Sequence, residues 1–597
     1  MSAPAERTSE GSWYSLTVRD GAPVALLDDR SGRRWAELRL LASIDTLDGP
    51  DETLAIAGPS IAVLEGGVRY SWALRSSRWD AKRLVVETGP DNVAVYAEVE
   101  GRGRLNGIRL LGGDAVLPTG SGRLMSGACF ESLFCPSPAH PLRIVKRASE
   151  SAVVGVVSGS EPGRGNWFFT PGPLCFAVSR SPVVDSTIVP DGPWLTVGLG
   201  VAAADADMPA FGYDAMDRGF SFGFEYEGKT AVDGTWRTPA LVIGQANDPY
   251  EGIAAHRRWL LDHGLVDATA RRAQTAPAWW RQPIFCGWGA QCRLALDSGL
   301  GFRGAAGFAT AVDYDRFLAH LKDRGIVPGT IVIDDKWQAA YGTCLPDPAK
   351  WPDLRGWIAD RRTRDQHVLL WWKAWDAEGL PAEWTIRSAS GASLGIDPTH
   401  PEAREAIRAA VRTMLAPDQL DADGLKIDFT ARTPSGVATR HHGSAWGIAL
   451  LRELLDVVAL EARQVKPDAL LIGHTPNPLF GSVIDMVRLN DTLRLDDPEP
   501  RVDVVPQMRY RAAVARAALP DHLIDTDDWC APDLDTWRRY LAIKAELGVP
   551  ALYYATGLDL SGEDFDDADY RAIASVWAAY RERGGLSAPI RPPSRPA

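Results

Sequence analysis

Two hydrophobic patterns divide the chain near residue 265. Residues 1–265 carry short runs in which apolar and polar side chains alternate, for example 13–18, 83–87 and 93–97. Gly, Asp and Pro separate these runs at a spacing typical of β-sandwiches. Because alternation of period two gives each strand one apolar face, we predict an N-terminal antiparallel β-sandwich domain over residues 1–265.

The pattern changes after a predicted helix at 249–264 and a linker at 266–281 that contains Pro277, Trp279 and Trp280. Apolar runs of four to six residues now alternate with amphipathic helical stretches, such as 315–325 and 401–414. This alternation is typical of a parallel sheet. The eight runs lie at 284–288, 330–335, 368–372, 424–428, 469–474, 486–491, 523–527 and 551–555.

Eight strand–helix units in about 300 residues predict a (β/α)8 TIM barrel. We place this barrel at residues 282–582 and expect a loose, Pro- and Arg-rich tail at 583–597. A doubly wound open sheet is the alternative, but it would normally carry a glycine-rich phosphate turn after its first strand. Here Gly287, Trp288 and Gly289 are followed by Ala, Gln and Cys.

Composition narrows the class of protein. The chain has 597 residues, 45% of them hydrophobic and 24% charged, with a formal net charge of −13. An acidic chain disfavours nonspecific binding to nucleic acid or to anionic membranes, and no apolar run approaches the ~20 residues of a membrane span. The N-terminal residues do not resemble a secretory signal. The seven cysteines are scattered, without a CxxC motif, so we expect reduced thiols in a cytoplasmic protein.

Polar and aromatic residues recur where the predicted barrel strands end. Since the carboxyl ends of the strands face the active site of a TIM barrel, repetition at this position indicates a functional site. The candidate residues are Trp288, Asp334, Asp335, Trp337, Trp372, Lys373, Lys426, Asp428, His474, Arg488, Asp491, Asp527 and Trp529.

Asp428 is the most specific candidate for chemistry. Lys426 and Asp428 flank Ile427 in the fourth run, so both polar side chains point to one face. If Ile427 packs on the helices, the other two face the barrel mouth. A neighbouring Lys would keep the carboxylate ionised, as a nucleophile requires. The alternative is a structural Lys–Asp pair.

Asp491 at the end of the sixth run is the second carboxylate. Strands four and six are near neighbours in an eight-stranded barrel, and carboxyl groups about 5–5.5 Å apart perform retaining glycoside hydrolysis. Asp491 is therefore the candidate acid/base, and Asp496 and Asp497 are alternatives because they follow closely.

The remaining candidates fit recognition of a carbohydrate. Asp334 and Asp335 can accept hydrogen bonds from vicinal sugar hydroxyls, and the indole of Trp337 can stack on a sugar ring. A divalent metal at this pair is disfavoured because His and Glu ligands are sparse nearby. His474 could bind a hydroxyl or simply close a strand end. We predict no cofactor and no metal, and homo-oligomerisation stays open.

These motifs resemble the clan D glycoside hydrolases, in particular family 36, the α-galactosidase family. The sequence Val-Ile-Asp-Asp-Lys-Trp, which ends at Trp337, is similar to the family's Asp-Asp-Gly-Trp. The segment from Asp397 to Asp428 resembles the family's His-Pro, helix and Lys-Trp-Asp series, and 488–491 resembles its Arg…Asp motif. The resemblance covers most of residues 280–560. The Arg-to-Asp spacing is three residues here, against four in the family.

The resemblance implies a divergent, retaining, exo-acting α-glycosidase that works by double displacement. It gives the nucleophile's role to Asp428, the acid/base role to Asp491, and sugar contacts to Lys426, Asp334 and Asp335. The similar family 31 α-glucosidases place their carboxylates on the same two strands and remain an alternative. A transglycosidase and a noncatalytic carbohydrate-binding barrel are the others.

Overall fold

The structure is a computed structural model of the whole chain. It describes residues 6–20, 24–114, 123–128, 130–136, 141–144, 151–158, 168–180, 183–184, 187–188, 192–216, 219–267, 276–492 and 503–585. Within this part of the chain, no helix is long and apolar enough to cross a membrane.

The N-terminal region is built from antiparallel strands. Their buried positions often alternate, as in Tyr14–Arg19, because one face of each strand packs on the core. The strands are Glu6–Glu10, Tyr14–Arg19, Val24–Asp29, Arg34–Arg39, Ala42–Thr46, Thr53–Leu64, Gly67–Ser76, Ala81–Thr88, Val93–Leu110, Gly112–Asp114, Arg123–Ala128, Ser132–Phe134, Leu142–Ile144, Ala152–Val154, Cys175–Ser179, Val183–Val184, Thr187–Ile188, Trp194–Gly200, Phe211–Met216, Gly219–Glu225, Ala231–Arg237 and Ala240–Ala246.

One long strand joins the two layers of this domain. The first part of Val93–Leu110 pairs with Ala81–Thr88 and Ala231–Arg237 in one layer. Its last residues pair with Ala42–Thr46 and Gly219–Glu225 in the other layer. A strand that passes from one sheet to the next makes a corner of a β-sandwich, and aromatic and aliphatic side chains fill the space between the layers.

The second region is a parallel barrel. Its strands, in chain order, are Ile284–Cys286, Thr330–Ile333, His367–Lys373, Gly424–Asp428, Leu470–Gly473, Met486–Arg488, Leu523–Asp525 and Ala551–Leu552. Consecutive strands are neighbours, and the eighth pairs with the first. A bridge between Asp525 and Val549 brings the seventh strand to the start of the eighth. The predicted β-sandwich followed by a (β/α)8 barrel is confirmed.

Most of the helices connect barrel strands, and several begin at a capping residue. Asp248, Thr310, Asp353, Asp503 and Asp533 each accept backbone N–H groups at a helix start. The α-helices are Pro249–Asp262, Trp288–Asp297, Ala311–Lys322, Leu354–Thr363, Pro401–Leu415, Gly447–Val465, Val504–Ala518, Leu534–Leu547 and Asp567–Glu582. Short 3-10 helices occupy Ala203–Asp205, Ala278–Arg281, Phe302–Phe308, Ala382–Trp384 and Pro478–Phe480, and a hairpin joins Thr385–Arg387 to Ser393–Ile396.

The two regions touch at the mouth of the barrel. Thr170 of the N-terminal domain donates its backbone N–H to the carbonyl of His474 at 3.0 Å, and its carbonyl accepts from the hydroxyl of Thr430 at 2.8 Å. The indole N–H of Trp446 donates to Glu227 at 2.8 Å. These buried contacts fix one edge of the N-terminal domain beside the ends of the barrel strands.

Candidate active site

A cavity of about 400 Å³ opens at the carboxyl ends of the barrel strands. This is where TIM barrels hold their active sites. Acidic, basic and aromatic side chains line it together. They are Phe168, Trp288, Phe302, Asp334, Asp335, Trp371, Lys426, Asp428, Phe429, Ala431, Arg432, His474, Arg488, Asn490, Asp491, Trp529 and Tyr553.

Asp428 ends the fourth barrel strand and points into this cavity. Its Oδ1 accepts from Arg488 Nη2 at 2.8 Å and from the backbone N–H of Phe429 at 2.9 Å. Its Oδ2 accepts a longer bond of 3.2 Å from the indole N–H of Trp371. About 23% of the side chain is exposed, so one carboxylate oxygen is lightly bonded and accessible from the cavity.

The surroundings keep Asp428 ionised. Burial alone would raise the pKa of this carboxyl, but the charges of Arg488 and then Lys426 outweigh it and hold the pKa well below its usual range. The alternation prediction is consistent with this geometry, because Lys426 and Asp428 line the cavity while Ile427 is buried. The main ion-pair partner of Asp428, however, is Arg488.

Arg488, at the end of the sixth strand, contacts three carboxylates. Nη2 lies 2.8 Å from Asp428, and Nη1 lies 2.8 Å from Asp527 and 3.6 Å from Asp491. The guanidinium is almost fully buried, with 3% of the side chain exposed. It therefore holds Asp428 and Asp527 tightly and leaves Asp491 at a longer distance.

Asp491 has the opposite electrostatic character to Asp428. Burial, followed by the charges of Asp527 and Asp428, raises the pKa of Asp491 to about 7, although Arg488 opposes the rise. One carboxyl in the cavity is thus ionised at neutral pH and the other is close to half protonated. Opposed pKa values of this kind separate a nucleophile from a general acid.

A buried ion pair occupies the floor of the cavity. Lys426 Nζ lies 2.7 Å from Asp334 Oδ2 and 4.7 Å from the ring centroid of Tyr553. The thiol of Cys286 donates to the same Asp334 oxygen at 3.1 Å. The other Asp334 oxygen accepts the backbone N–H of Asp335 at 2.8 Å. These contacts fix the ammonium and the carboxylate at the base of the cavity.

Asp335 lies next to this pair and is less fully neutralised. The phenol of Tyr341 donates to its Oδ1 at 2.8 Å. Burial and then the charge of Asp334 raise the pKa of Asp335 to about 6, against the lowering effects of Tyr341 and Lys373. Asp335 can therefore change protonation state just below neutral pH.

His474 is a neutral partner of the charged groups. Its Nδ1 lies 3.2 Å from Arg488 Nη2, which can only donate, so we assign the ring proton to Nε2. Nε2 then donates to the hydroxyl of Thr430 at 2.9 Å. Burial, followed by the charge of Arg488, lowers the pKa of His474 to about 3. The imidazole therefore remains uncharged at neutral pH.

An aromatic wall closes one side of the cavity. Trp288 and Trp529 are 5.9 Å apart between ring centroids, and Phe302 lies 5.6 Å and 5.8 Å from them. The indole N–H of Trp529 donates to Asp559 at 3.1 Å, which fixes the ring. Flat apolar faces beside carboxylates suit the mixed polar and apolar surface of a sugar.

Four of the predicted site residues do not line the cavity. Trp337 is fully buried, and its indole N–H donates to the carbonyl of Trp371 at 2.8 Å. Lys373 pairs with Asp376 at 2.7 Å, and Trp372 is buried. Asp527 is fully buried and reaches the cavity only through Arg488. Asp496 and Asp497 lie outside the described residues.

The phase of the third strand explains one of these differences. In the parallel pairing, Trp371 is opposite Lys426 and Trp372 is opposite Ile427. Because side chains alternate, Trp371 shares the cavity face and Trp372 lies on the other. Sequence reasoning also missed Phe168, whose position depends on contact between two domains. Tyr553 follows the eighth strand, so its strand-end position was a usable signal.

Among the residues that the structure describes, no group of three or more His, Cys, Asp and Glu side chains is arranged to hold a metal ion. Asp334 is engaged by Lys426 and Cys286, so its oxygens already have protein donors.

The sequence of the chain shows only partial similarity to known proteins. No family model matches the chain. A curated relative, the tRNA modification GTPase MnmE of Ralstonia nicotianae, is 30% identical over 189 residues, which is 28% of this chain and 38% of that protein. The chain thus spans well under half of that relative's length.

A phosphate-binding pattern does occur in the chain, but it does not fold as a phosphate loop. Residues 223–230 read Gly-Phe-Glu-Tyr-Glu-Gly-Lys-Thr, which matches the P-loop consensus. They run from the strand Gly219–Glu225 through a turn, and the strand Ala231–Arg237 follows in place of the helix that a P-loop requires. The Lys229 ammonium donates to the carbonyls of Val437 and Thr439.

Solved structures show a much more extensive likeness. An α-galactosidase from Lactobacillus brevis matches with a TM-score of 0.52 and 10% identity, over 97% of this chain and 84% of that one. A GH31 sulfoquinovosidase from E. rectale matches with a TM-score of 0.57 and 9% identity, over 96% of this chain and 82% of that one. A GH36 α-galactosidase from Geobacillus stearothermophilus in complex with stachyose matches with a TM-score of 0.53 and 11% identity, over 98% of this chain and 87% of that one.

Identities near 10% establish the fold and leave the substrate open. The sandwich, the barrel and their order along the chain agree with these neighbours over nearly the whole sequence. The resemblance predicted from the strand-end motifs is confirmed at this level: the chain has the fold of the clan D glycoside hydrolases of families GH36 and GH31.

Proposed function

We propose that the protein is a retaining, exo-acting α-glycoside hydrolase in which Asp428 is the nucleophile and Asp491 is the acid/base. One observation carries the proposal. Two carboxylates at the ends of the fourth and sixth barrel strands meet the same buried guanidinium, Arg488, in one cavity. Because Arg488 also pairs closely with Asp527, Asp491 is the least neutralised of the three carboxylates around this guanidinium.

In the first step, Asp428 attacks the anomeric carbon of the bound sugar. Its Oδ2 is the suitable oxygen, because Oδ1 is engaged by Arg488 and by the backbone N–H of Phe429. Asp491 gives its proton to the departing glycosidic oxygen as the C–O bond breaks. The sugar becomes a covalent ester of Asp428, with its anomeric configuration inverted.

In the second step, water replaces the leaving group. Asp491, now ionised, takes a proton from the water, which attacks the anomeric carbon and releases Asp428. The second inversion restores the starting configuration, so the product is the α-anomer. An acceptor sugar in place of water would give transglycosylation by the same residues.

The rest of the cavity supplies binding. Lys426, Asp334 and Asp335 form a charged floor for sugar hydroxyls, and hydrogen bonds to charged groups contribute about 1.5–3 kcal/mol each. The aromatic wall of Trp288, Phe302 and Trp529 provides apolar contact. The α-galactoside is the first substrate to test, because GH36 α-galactosidases share the fold. The α-glucoside and α-sulfoquinovoside follow as alternatives.

The test combines a substrate screen with two variants. The enzyme is assayed on aryl α- and β-glycosides, and NMR reads the anomer released first. We expect hydrolysis of an α-glycoside with an α-anomer as first product. Asp428→Ala should lose several orders of magnitude in kcat, and azide should partly restore turnover and give a β-glycosyl azide. The control is Asp418→Asn, an exposed carboxylate away from the cavity, which should match the wild type.

Two outcomes would contradict the proposal. A fully active Asp428→Ala variant would remove the nucleophile. Saturable sugar binding without turnover of any activated glycoside would identify a noncatalytic binding protein on the same fold.

A further inference from the structure

Arg511 is a buried arginine that the proposed reaction does not use. It lies on the helix Val504–Ala518, which follows the sixth barrel strand, and its side chain is fully buried. No carboxylate in the described residues forms an ion pair with it. Burial lowers the pKa of this guanidinium to about 10, so it stays charged at neutral pH. The charges of Asp491 and Asp527 act on it only from beyond ion-pair distance, and a buried charge without a close counter-ion is costly unless hydrogen bonds satisfy it.

The guanidinium binds the backbone that carries the proposed acid. Nη1 donates to three successive carbonyl oxygens, those of Leu489 at 2.9 Å, Asn490 at 3.2 Å and Asp491 at 2.7 Å. Asn490 has a φ of 66°, in the left-handed region. This residue directly precedes Asp491 in the 489–491 turn, so the three bonds fix the direction in which the Asp491 side chain leaves the backbone.

Two further contacts fix the guanidinium itself. Nη2 donates to Gln507 Oε1 at 2.5 Å, one helical turn earlier on the same helix. The guanidinium carbon lies 3.2 Å from the ring centroid of Phe168, which lines the cavity. Asn490 Nδ2 donates to the carbonyl of Phe168 at 2.9 Å. The turn is thus held between the barrel helix and the N-terminal domain.

We infer that Arg511 is a positioning residue for the acid/base: it holds the 489–491 turn so that Asp491 can reach the glycosidic oxygen. The inference rests on the proposed function. General acid catalysis requires the proton within hydrogen-bond reach of its acceptor, and a misplacement of about 1 Å can cost 10²-fold in rate. Loss of Arg511 should therefore impair the proton-dependent reaction and spare binding.

The test compares leaving groups in Arg511→Met, Arg511→Lys and Gln507→Leu. For Arg511→Met we expect kcat/KM on an alkyl α-glycoside to fall ~100-fold. On a glycosyl fluoride, which needs no proton, we expect a fall below about threefold. Arg511→Lys keeps the charge with fewer donors and should lie between. Gln507→Leu removes only the partner of Nη2. It should show the same dependence on the leaving group, with kcat/KM on the alkyl α-glycoside lowered about three- to tenfold.

The matched control is Arg516→Met on the same helix. Arg516 also donates to two backbone carbonyls, of Glu546 and Leu547, but these lie away from the acid turn. We expect Arg516→Met to affect both substrates equally. Circular dichroism and thermal melting establish that each variant is folded. If Arg511→Met does not fold, Arg511→Lys and Gln507→Leu decide the question.

Asp491→Ala, assayed in parallel, separates two failures. If it shows the leaving-group dependence while the folded Arg511 and Gln507 variants lose activity equally on both substrates, or lose none, Arg511 is not a positioning residue. If Asp491→Ala itself lacks that dependence, the acid assignment fails, and with it this inference.

Discussion

The assignment of Asp491 can be tested by removing its carboxyl and following activity against pH. Burial and the charges of Asp527 and Asp428 raise the pKa of this group to about 7. Nearly all of the enzyme then carries the catalytic proton at pH 5, and about 1% carries it at pH 9, two pH units above the pKa. Wild-type kcat/KM should fall tenfold per pH unit above the midpoint.

The expected size of the effect follows from these fractions. A positioned general acid contributes typically 10²- to 10⁴-fold, so Asp491→Ala should be ~10³-fold slower than the wild type on a methyl α-glycoside at pH 5. At pH 9 the wild type has lost ~99% of its protonated form, so the ratio should shrink to ~10. The two pH profiles therefore converge at alkaline pH.

The assay measures kcat/KM from pH 5 to pH 9 on a methyl α-glycoside and on the corresponding glycosyl fluoride. For the fluoride, wild type and Asp491→Ala should show similar glycosylation rates and no alkaline limb. Asp418→Asn is the control for a carboxylate outside the cavity. Asp428→Ala should lose activity on both substrates, because the nucleophile is needed whatever the leaving group.

A constant ratio between the two enzymes across this pH range would refute the reasoning, because it would mean that the lost group does not titrate near 7. Equal losses on both substrates would do so as well. If Asp496→Ala or Asp497→Ala gives the convergent profiles instead, the acid lies in the following segment, outside the described residues.

Three further outcomes are expected. The pKa of Asp335 is raised to about 6, so protonation should raise KM as the pH falls through 6, and Asp335→Asn should abolish this dependence of KM on pH. Trp529→Ala should raise KM about two- to twelvefold with kcat nearly unchanged, since an aromatic contact contributes about 0.5–1.5 kcal/mol; Leu300→Ala, at an exposed site, is its control. Because the folded pKa of Asp491 lies above its unfolded value, ionisation destabilises the fold as the pH rises through 7. Asp491→Asn should therefore raise the free energy of unfolding at pH 8 by about 1–2 kcal/mol, a value reduced because a third of the side chain is exposed to solvent. At pH 3 the substitution should have little effect. Denaturant titrations at the two pH values measure both.

The fold could be predicted from local sequence because its signals are local. Alternation, helix periodicity and capping residues each act over a few neighbouring positions, and the barrel strands occur at the predicted runs. The same periodicity places Lys426 and Asp428 on one face of their strand. Aligning the third strand with the fourth by the same periodicity also places Trp371 on the cavity face.

The partners of the site residues could not be predicted this way. Lys426 lies two residues from Asp428, yet its ammonium pairs with Asp334, 92 positions away. Phe168 enters the cavity from the other domain, and Arg511 reaches the acid turn from the following helix. Such contacts depend on how whole elements pack, and strand-end reasoning contains no information about them.

The opposed pKa shifts of Asp428 and Asp491 follow in part from a shortage of positive charge at Arg488. One guanidinium faces Asp428, Asp527 and Asp491, and it is close to only two of them, at 2.8 Å each. Asp527 is fully buried and not itself in the cavity lining, yet it takes up one side of the guanidinium. Asp491, at 3.6 Å, is affected first by burial and then by the repulsion of both neighbours, and together these raise its pKa to about 7. In the proposed reaction, Asp527, which does not line the cavity, would thus help to decide which of the two carboxyls is the acid.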